Sequence, residues 1–587
     1  MIQLTVSRFP KSVMAWAVTL LALTTLVAVI WAVAPDYAQV RAGRIDAGYL
    51  ESGDCRKCHE TNYASWRATY HRTMTQEVGP QSVLGDFDHN NTITYQGVLA
   101  EMVREDGRYW MKLTGVDGAK QQLEIVRTVG SRRIQQYLTK KDDTWVRLPI
   151  AYDIVQHRWM HLNGSFFFPD GSDYKQHVAE WNGNCVFCHN VKAQPHLDWI
   201  DKSWNTEVAE LGIACGACHG PAGEHASRAL SPVTRYRWHL NDSASPPISV
   251  VNPDRLDSDR SAMVCGHCHG QRIPDPPNLI RTMMRADPYD AGKNLRDFYK
   301  PVQCEDKVGP VSFAPRFWQD GSPRLTAYEY QGLTRSKCFQ AGTPGKRITC
   351  TSCHDMHGGD PRGQLTEKMK TNAACTQCHQ QFIKPAQLAE HTKHSNESTG
   401  SLCYNCHMPS IVYGIMSAHR THDITIPRPD ETVRFGKPNA CNQCHMDWSV
   451  NRAIATSQRL WPDAYAESRA GGPSFDQPEG ERALFAGDAV MRALTAAAMT
   501  PATDATAPLL LEAMQDRYPI VRYFAANALA EQHPTLPKPD YLASTETLNA
   551  TLQSCYPLWP SERVQAARET GKRLTTQQTE ADVEVGE

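Results

Sequence analysis

Apolar and polar positions alternate along part of the amino-terminal third of the chain, which is typical of β-strands. Four segments alternate in this way: Val98–Val103, Tyr109–Leu113, Gln122–Arg127 and Thr144–Leu148. The first two flank Asp106-Gly107, a dipeptide that favours a two-residue hairpin turn. We therefore predict a small antiparallel β insertion over residues 81–180 and interpret it as scaffolding.

Beyond residue 450 the apolar positions follow a helical period instead. Residues 479–498 and 507–533 are rich in Ala and Leu, with apolar side chains three and four positions apart. The stretch from Asp516 to Leu529 is similar to one unit of a HEAT-type helical repeat. We predict an α-helical HEAT-like domain and tail over 451–587, and an ordinary helical cap is the alternative.

A long apolar run near the amino terminus predicts export. Arg8 and Lys11 precede an uncharged run from Ser12 to Pro35, long enough to cross a bilayer. We interpret residues 1–35 as an uncleaved signal anchor, a single transmembrane helix that leaves the rest on the periplasmic side of the bacterial inner membrane. The alternative is cleavage after Ala32-Val33-Ala34 and secretion to the periplasm.

The cysteine content restricts the class of protein, whereas the net charge hardly does. The 587 residues carry a net charge of −2, so no global field favours nucleic acid. Nineteen cysteines are present. Sixteen of them belong to eight copies of C-x-x-C-H, of which a random chain would contain roughly 0.02.

This motif is the attachment signal for c-type haem, in which both thiols bind the porphyrin and the histidine is the proximal iron ligand. The copies are Cys55/Cys58/His59, Cys185/Cys188/His189, Cys215/Cys218/His219, Cys265/Cys268/His269, Cys350/Cys353/His354, Cys375/Cys378/His379, Cys403/Cys406/His407 and Cys441/Cys444/His445. Zinc sites need four ligands without an obligatory histidine after each second cysteine, and disulfides need neither the spacing nor the histidine. We predict eight covalently bound haem c groups (iron).

The spacing of the motifs predicts the domain organisation. The first lies alone in a haem-binding segment over 36–80, and the other seven fall within 181–450. Gaps this short cannot hold independent cores, so neighbouring haems must share one. Cys304 and Cys338 lie outside the motifs and are either a disulfide or two unpaired thiols.

Second axial ligands can come from the fifteen histidines outside the eight motif positions. His71 follows the first motif at a spacing that suits a neighbouring porphyrin. His225 and His357 close short loops that lead away from their own haems. A weaker group contains His161, His177, His391, His394, His419 and His422. We expect His267, inside a motif, to face solvent or a propionate.

At this point the chain resembles a family of exported multihaem cytochromes with a cytochrome c-552/4-like haem domain (doubled CXXCH) and carboxy-terminal HEAT-like repeats. The matching stretches are Asp54–His59 with Trp66 and His71, Ile134–Leu138, Arg158–His161, Cys215–His225, Ser336–Cys338 with Cys350–His357, Cys403–Pro409, His422 with Pro427–Asp430, and Pro438–His445. They cover about residues 50–530.

The resemblance implies a mostly α and irregular multihaem cytochrome fold with a small antiparallel β insertion and a carboxy-terminal α-helical repeat domain. It also implies candidate distal ligands at His71, His161, His177, His225, His357, His394 and His422. The haem domain is distantly similar to hydroxylamine oxidoreductase and to octahaem nitrite and tetrathionate reductases. The C-x-x-C-K motif of some such reductases is absent from the sequence.

Three functions fit these features. The first is an octahaem cytochrome that transfers electrons in the periplasm between a quinol-linked membrane donor and a downstream acceptor. The second is an oxidoreductase that converts a small nitrogen or sulfur compound at one five-coordinate haem, and the third is a scaffold whose carboxy-terminal helices dock a partner. The number of irons without a second protein ligand discriminates between the first two. No catalytic residue is assigned.

Overall fold

The computed structural model of the protein describes residues 15–16, 18–26, 48–240, 250–274, 282–343, 347–537 and 539–579. None of the helices in these ranges has the length and apolar character needed to cross a membrane. Most of the anchor predicted over Ser12–Pro35 lies outside the described residues.

Two antiparallel sheets occupy the region of the predicted β insertion. A four-stranded sheet runs in chain order through Thr92–Tyr95, Val98–Glu105, Arg108–Thr114 and Lys120–Ile125. A seven-stranded sheet has the order Thr75–Glu77, Arg127–Val129, Ile134–Lys141, Thr144–Arg147 and Ala179–Glu180. Ile150–Asp153 also pairs with Ile134–Lys141, and Arg158–His161 pairs with Ile150–Asp153. Asp106 and Gly107 both have positive φ, as the tight hairpin turn between Glu105 and Arg108 requires.

Between these sheets and the carboxy-terminal helices, the chain consists of short elements around the motifs. The helices are Ser52–Cys55, Glu60–Arg67, Val186–His189, Cys215–His219, Gly223–Ala229, Pro232–Leu240, Ser258–Gly266, Glu329–Arg335, Lys337–Gln340, Ala373–Thr376, Pro385–Thr392, Cys403–His407, Asp430–Phe435 and Ala440–Cys444. The two-stranded ribbons pair Asn190–Val191 with Glu210–Leu211, Leu197–Asp198 with Ser203–Trp204, Arg272–Pro274 with Tyr299–Pro301, Lys307–Val308 with Val311–Ser312, and Val412–Gly414 with Ser417–His419.

The carboxy-terminal region is helical throughout. Its helices are Val450–Leu460, Pro462–Tyr465, Glu479–Ala486, Ala489–Ala498, Ala507–Ala513, Pro519–Gln532, Thr545–Cys555 and Ser561–Thr575. Their apolar faces do not form a separate core. Leu494 and Phe524 belong to the same buried cluster as Met160 of the sheet and Tyr413 of the motif region. Arg522 also reaches across to Asp170, with a 2.6 Å ion pair.

Two local expectations from the sequence are resolved by packing. Cys304 and Cys338 do not form a disulfide, and Cys304 lies 3.1 Å from the Glu305 carboxylate. His267 was expected to face solvent or a propionate, but its Nε2 lies 2.7 Å from the buried Asp287 carboxylate. The neighbouring Tyr289 ring stacks on His267 and covers it.

Candidate haem centres

Each motif forms one helical turn that gathers its three functional side chains. The backbone N–H of the histidine donates to the backbone carbonyl of the first cysteine, as from His59 to Cys55 at 2.9 Å and from His445 to Cys441 at 2.8 Å. Residues three and four positions apart share one face of such a turn. Both thiols and the imidazole therefore point the same way, which is the arrangement needed to hold one porphyrin by two edges and its iron.

Three motif cysteines are exposed at the surface, although the short gaps between motifs predict haems that share one packed core. They are Cys58, Cys378 and Cys444, each the second cysteine of its motif, whereas the first cysteine of each of these motifs is partly buried. For Cys58 the reason is local. Its turn leads into the helix Glu60–Arg67, which contains no buried residue, so this part of the chain forms an outer surface. Covalent attachment at these three thiols stays a prediction, with one porphyrin edge near solvent.

Six motif histidines face a second histidine across a constant gap. The ring centroids are 6.3 Å apart for His59–His225, 6.2 Å for His71–His269, 6.2 Å for His219–His357, 6.2 Å for His354–His422, 6.1 Å for His391–His407 and 6.2 Å for His394–His445. Five pairs have interplanar angles between 7° and 29°, and the His71–His269 pair stands at 79°.

This gap fits one iron ion between two imidazoles. A first-row metal binds an imidazole nitrogen at about 2.0–2.1 Å, and the ring centre lies about 1.1 Å behind that nitrogen, so two such ligands place their centres about 6.3 Å apart. Rings in direct stacking contact would be closer. Burial lowers the pKa of His71 to about 4, and it lowers the pKa values of His225 and His422. These imidazoles are therefore neutral at pH 7, with a lone pair free for a metal.

Several motif histidines are oriented from behind by a backbone carbonyl. Nδ1 lies 2.7 Å from the Val251 carbonyl in His219, 2.8 Å from that of Gly363 in His354, and 2.8 Å from that of Thr425 in His407. Such a contact places the proton on Nδ1 and leaves Nε2 to bind the metal. The loops after these motifs therefore select the tautomer that haem ligation needs.

Five of the seven candidate distal histidines lie opposite a motif histidine, namely His71, His225, His357, His394 and His422. The structure adds His391, which had belonged only to the weaker group and which faces His407. Its position on Pro385–Thr392, three residues before His394, lets this helix and its end serve two motifs.

His161 and His177 are not placed opposite a motif histidine. His161 stacks on Tyr95, its Nδ1 accepts from the Asn163 N–H at 3.1 Å, and its Nε2 lies 2.9 Å from the Tyr174 carbonyl. Both of its ring nitrogens are therefore engaged. His177 lies against Phe166, and its Nε2 is buried without a hydrogen-bond partner.

Two motif histidines, His189 and His379, have no histidine facing them among the described residues. His379 is exposed at the surface. His189 lies under the seven-stranded sheet, where the Thr75 hydroxyl donates to its carbonyl at 3.0 Å. The side-chain nitrogen His189 Nδ1 is buried and has no hydrogen-bond partner.

Contacts between thiols of different motifs show which centres are neighbours. Four pairs of thiols adjoin each other: Cys55 and Cys215, Cys265 and Cys350, Cys375 and Cys403, and Cys188 and Cys268. Three further pairs of thiols lie close enough to interact electrostatically: Cys218 and Cys265, Cys353 and Cys378, and Cys406 and Cys444. These contacts order seven motifs into one line: His59, His219, His269, His354, His379, His407 and His445. The His189 motif branches from this line at the His269 motif.

One face of the seven-stranded sheet packs on the His189 turn. Leu138 lies opposite Arg147 across the strand pair, and Gln136 is two residues away on the same strand. Because strand side chains alternate between faces, Gln136, Leu138 and Arg147 share one face. Leu138 packs with Val186 of the motif turn, so this face is directed at His189.

These features define a multihaem c-type cytochrome with covalently bound haem c. A protein-family model for the doubled CXXCH motif matches residues 343–384, which contain the motifs ending at His354 and His379. No curated protein matches the chain. Among solved structures, the chain is similar to the outer cell wall cytochrome OcwA, with 18% sequence identity, a TM-score of 0.48, and coverage of 86% of this chain and 99% of that one.

Proposed function

We propose that this chain is an octahaem c-type cytochrome that transfers electrons in the periplasm, between a quinol-linked membrane donor and a downstream acceptor protein. The amino-terminal apolar run supports this compartment, as a membrane anchor or as a cleaved leader. The observation that carries the proposal is the set of six histidine pairs 6.1–6.3 Å apart, joined by contacts between the thiols of successive motifs.

Haem iron supplies one-electron redox chemistry when bound. The residues of the chain then decide how easily it proceeds. Two histidine ligands hold the same geometry in both oxidation states, so little rearrangement accompanies electron transfer. Because thiols such as Cys55 and Cys215, or Cys375 and Cys403, are neighbours, the haems that they would hold would lie close enough for electrons to pass between them.

The intact mass of the purified protein tests the haem count, together with an alkaline pyridine assay of total haem. We expect eight haems per chain, and the Cys375→Ser/Cys378→Ser variant should lose one. Electron flow is tested by reducing the protein with a rapid pulse and following haem absorbance. In the wild type all haems should equilibrate rapidly, whereas loss of the His379 motif should split the response into two populations. A colourless protein, or one with the bare polypeptide mass, would contradict the proposal.

A second candidate function is redox catalysis at an open haem. It is favoured by one observation, namely that His189 and His379 face no histidine in the described part of the chain. A six-coordinate haem cannot bind a substrate without losing a ligand, whereas a haem held by one protein ligand can. Optical and electron paramagnetic resonance spectra should show one or two high-spin haems among eight. Eight low-spin haems would leave electron transfer as the sole function.

A further inference from the structure

Arg147 differs from the other deeply buried arginines. Four arginines in the described chain are at most 9% exposed: Arg147, Arg324, Arg492 and Arg522. Three have a carboxylate partner: Arg324 with Asp488, Arg492 with Asp516, and Arg522 with Asp170. Arg147 Nε instead donates to the His177 carbonyl at 2.9 Å, and its Nη1 lies 3.5 Å from Gln136 Oε1. No carboxylate of the described residues neutralises it, and a buried cation without an anion is costly.

Buried polar atoms without partners accumulate in the segment that packs against this face of the sheet. Between residues 177 and 190 they are His177 Nε2, Trp181 Nε1, His189 Nδ1 and Asn190 Oδ1. His177 is 5% exposed and Trp181 is 1% exposed. Buried polar groups are normally hydrogen-bonded, so a cluster of unpaired ones marks a place where something else binds.

Arg147 lies close to both His177 and His189. Burial lowers the pKa values of both histidines, and the positive charge of Arg147 lowers each of them further. Phe166 and Phe168 hold the His177 ring with centroid distances of 4.4 and 4.9 Å, so this ring is fixed in position. A cation, a fixed imidazole and the motif histidine thus lie near one another in a buried region.

We propose that the His189 centre is a binding site for a small oxyanion, with Arg147 as its charge partner and His177 as a hydrogen-bonding neighbour. This inference rests on the proposed function, because it requires haem at the second motif. Arg147 presents several N–H donors in one plane, which suits an anion with two oxygens. The oxyanion would provide the negative charge that the polypeptide does not supply there.

A haem propionate is the competing source of that negative charge. The two alternatives make different predictions for ligands of the iron. If Arg147 binds an exogenous anion, its removal weakens the binding of anionic ligands and leaves the binding of a neutral ligand unchanged. If it pairs only with a propionate, its removal affects nitrite and carbon monoxide equally.

The test is optical titration of the complete eight-haem protein, with nitrite on oxidised haem and with carbon monoxide on reduced haem. We expect wild-type protein to bind nitrite at a high-spin haem. Arg147→Gln should weaken nitrite binding by about tenfold or more, because a charged hydrogen bond is lost. Its carbon monoxide affinity should stay within about twofold of the wild-type value. Arg132→Gln, an exposed arginine of the same region, should bind both ligands as the wild type does.

Equal nitrite affinity in the wild type and in Arg147→Gln would overturn the proposal, as would the absence of any high-spin haem. If Arg147→Gln loses a haem by mass, Arg147→Lys decides, since it keeps the charge but not the planar donors. Weaker nitrite binding with unchanged carbon monoxide binding then supports the site, and unchanged binding of both ligands overturns it. A protein whose eight haems all equilibrate but bind no nitrite would retain the proposed electron transfer while losing this site.

Discussion

The Glu329 carboxylate lies 3.5 Å from Nδ1 of His269, the motif histidine at the branch point of the line of haem centres. Glu329 Oε2 is buried and makes no hydrogen bond of good geometry. Burial raises the pKa of Glu329, but His269 outweighs it and lowers the pKa to about 2, so the carboxyl group is ionised. His219, His354 and His407 have a neutral carbonyl in the same position.

Replacing this carboxylate should raise the reduction potential of the His269 haem. A negative charge behind the proximal imidazole makes it a stronger donor and stabilises oxidised iron. For Glu329→Gln we expect a rise on the order of 50 mV, since about 59 mV corresponds to a tenfold change for one electron. Spectroelectrochemical titration measures it, with the exposed Glu390→Gln as a control. Identical titration curves for the wild type and Glu329→Gln would show that the carboxylate does not act on the iron.

A methyl group at Gly400 should displace the second ligand of the His445 centre. A Cβ added there would lie 2.7 Å from Cγ and 2.8 Å from Nε2 of His394, which is closer than real side chains approach. Gly400→Ala should therefore keep eight haems but convert one from low spin to high spin, as seen by electron paramagnetic resonance. Gly472→Ala, where a Cβ meets nothing within 4 Å, is the matched control. An unchanged spectrum would mean that His394 does not bind that iron.

The roles assigned to His391 and His161 can be separated by substitution. His391 faces His407 at 6.1 Å, so His391→Ala should produce one additional high-spin haem. His161 has both ring nitrogens hydrogen-bonded within the β region, so His161→Phe should lower thermal stability and leave the spin states unchanged. An additional high-spin haem in His161→Phe would instead indicate that His161 is a distal ligand.

Lys437 neutralises two carboxylates in a buried position. Its Nζ lies 2.6 Å from Asp320 and 2.7 Å from Glu431, and the residue is 7% exposed. Lys437→Ala leaves both carboxylates without a countercharge and should reduce the free energy of unfolding at pH 7 by about 3–5 kcal/mol. Lys393→Ala, which removes an ion pair with the exposed Glu390, should change it little.

The stability of Lys437→Ala should rise more than that of the wild type as the pH falls from 7 to 5. Burial raises the pKa of Asp320, but Lys437 outweighs it and the net shift is downward. The stabilisation from Asp320 is therefore lost only in strong acid, as the pH falls through that lowered pKa. Burial raises the pKa of Glu431 even with Lys437 in place. Without Lys437, burial raises the pKa values of both carboxyl groups above their unfolded values, so the folded variant binds more protons than the folded wild type. The variant should then gain stability between pH 7 and pH 5, as measured by thermal unfolding, and a parallel loss in both proteins would contradict this.

The sequence predicts the attachment residues directly but not the pairing of ligands. Cysteine and histidine at fixed spacing are local features, and the short turns follow from them. The partner of His269, by contrast, is His71, and nothing local connects these two residues. His391 and His394 differ from the structurally placed His161 only through the packing of distant segments. The alternating pattern predicts the β insertion only as scaffolding. Arg147 and His189 are far apart in sequence, and the folded chain packs the sheet face that carries Arg147 against the His189 turn.

Pairing of histidines that are far apart in the sequence has a consequence for biogenesis. His59 faces His225, which comes much later in the chain, and His71 faces His269 of the fourth motif, which comes later still. Because synthesis runs from the amino terminus, the first motif is made before the histidine that faces it. The amino-terminal segment therefore cannot complete its histidine pairs until the fourth motif has been synthesised.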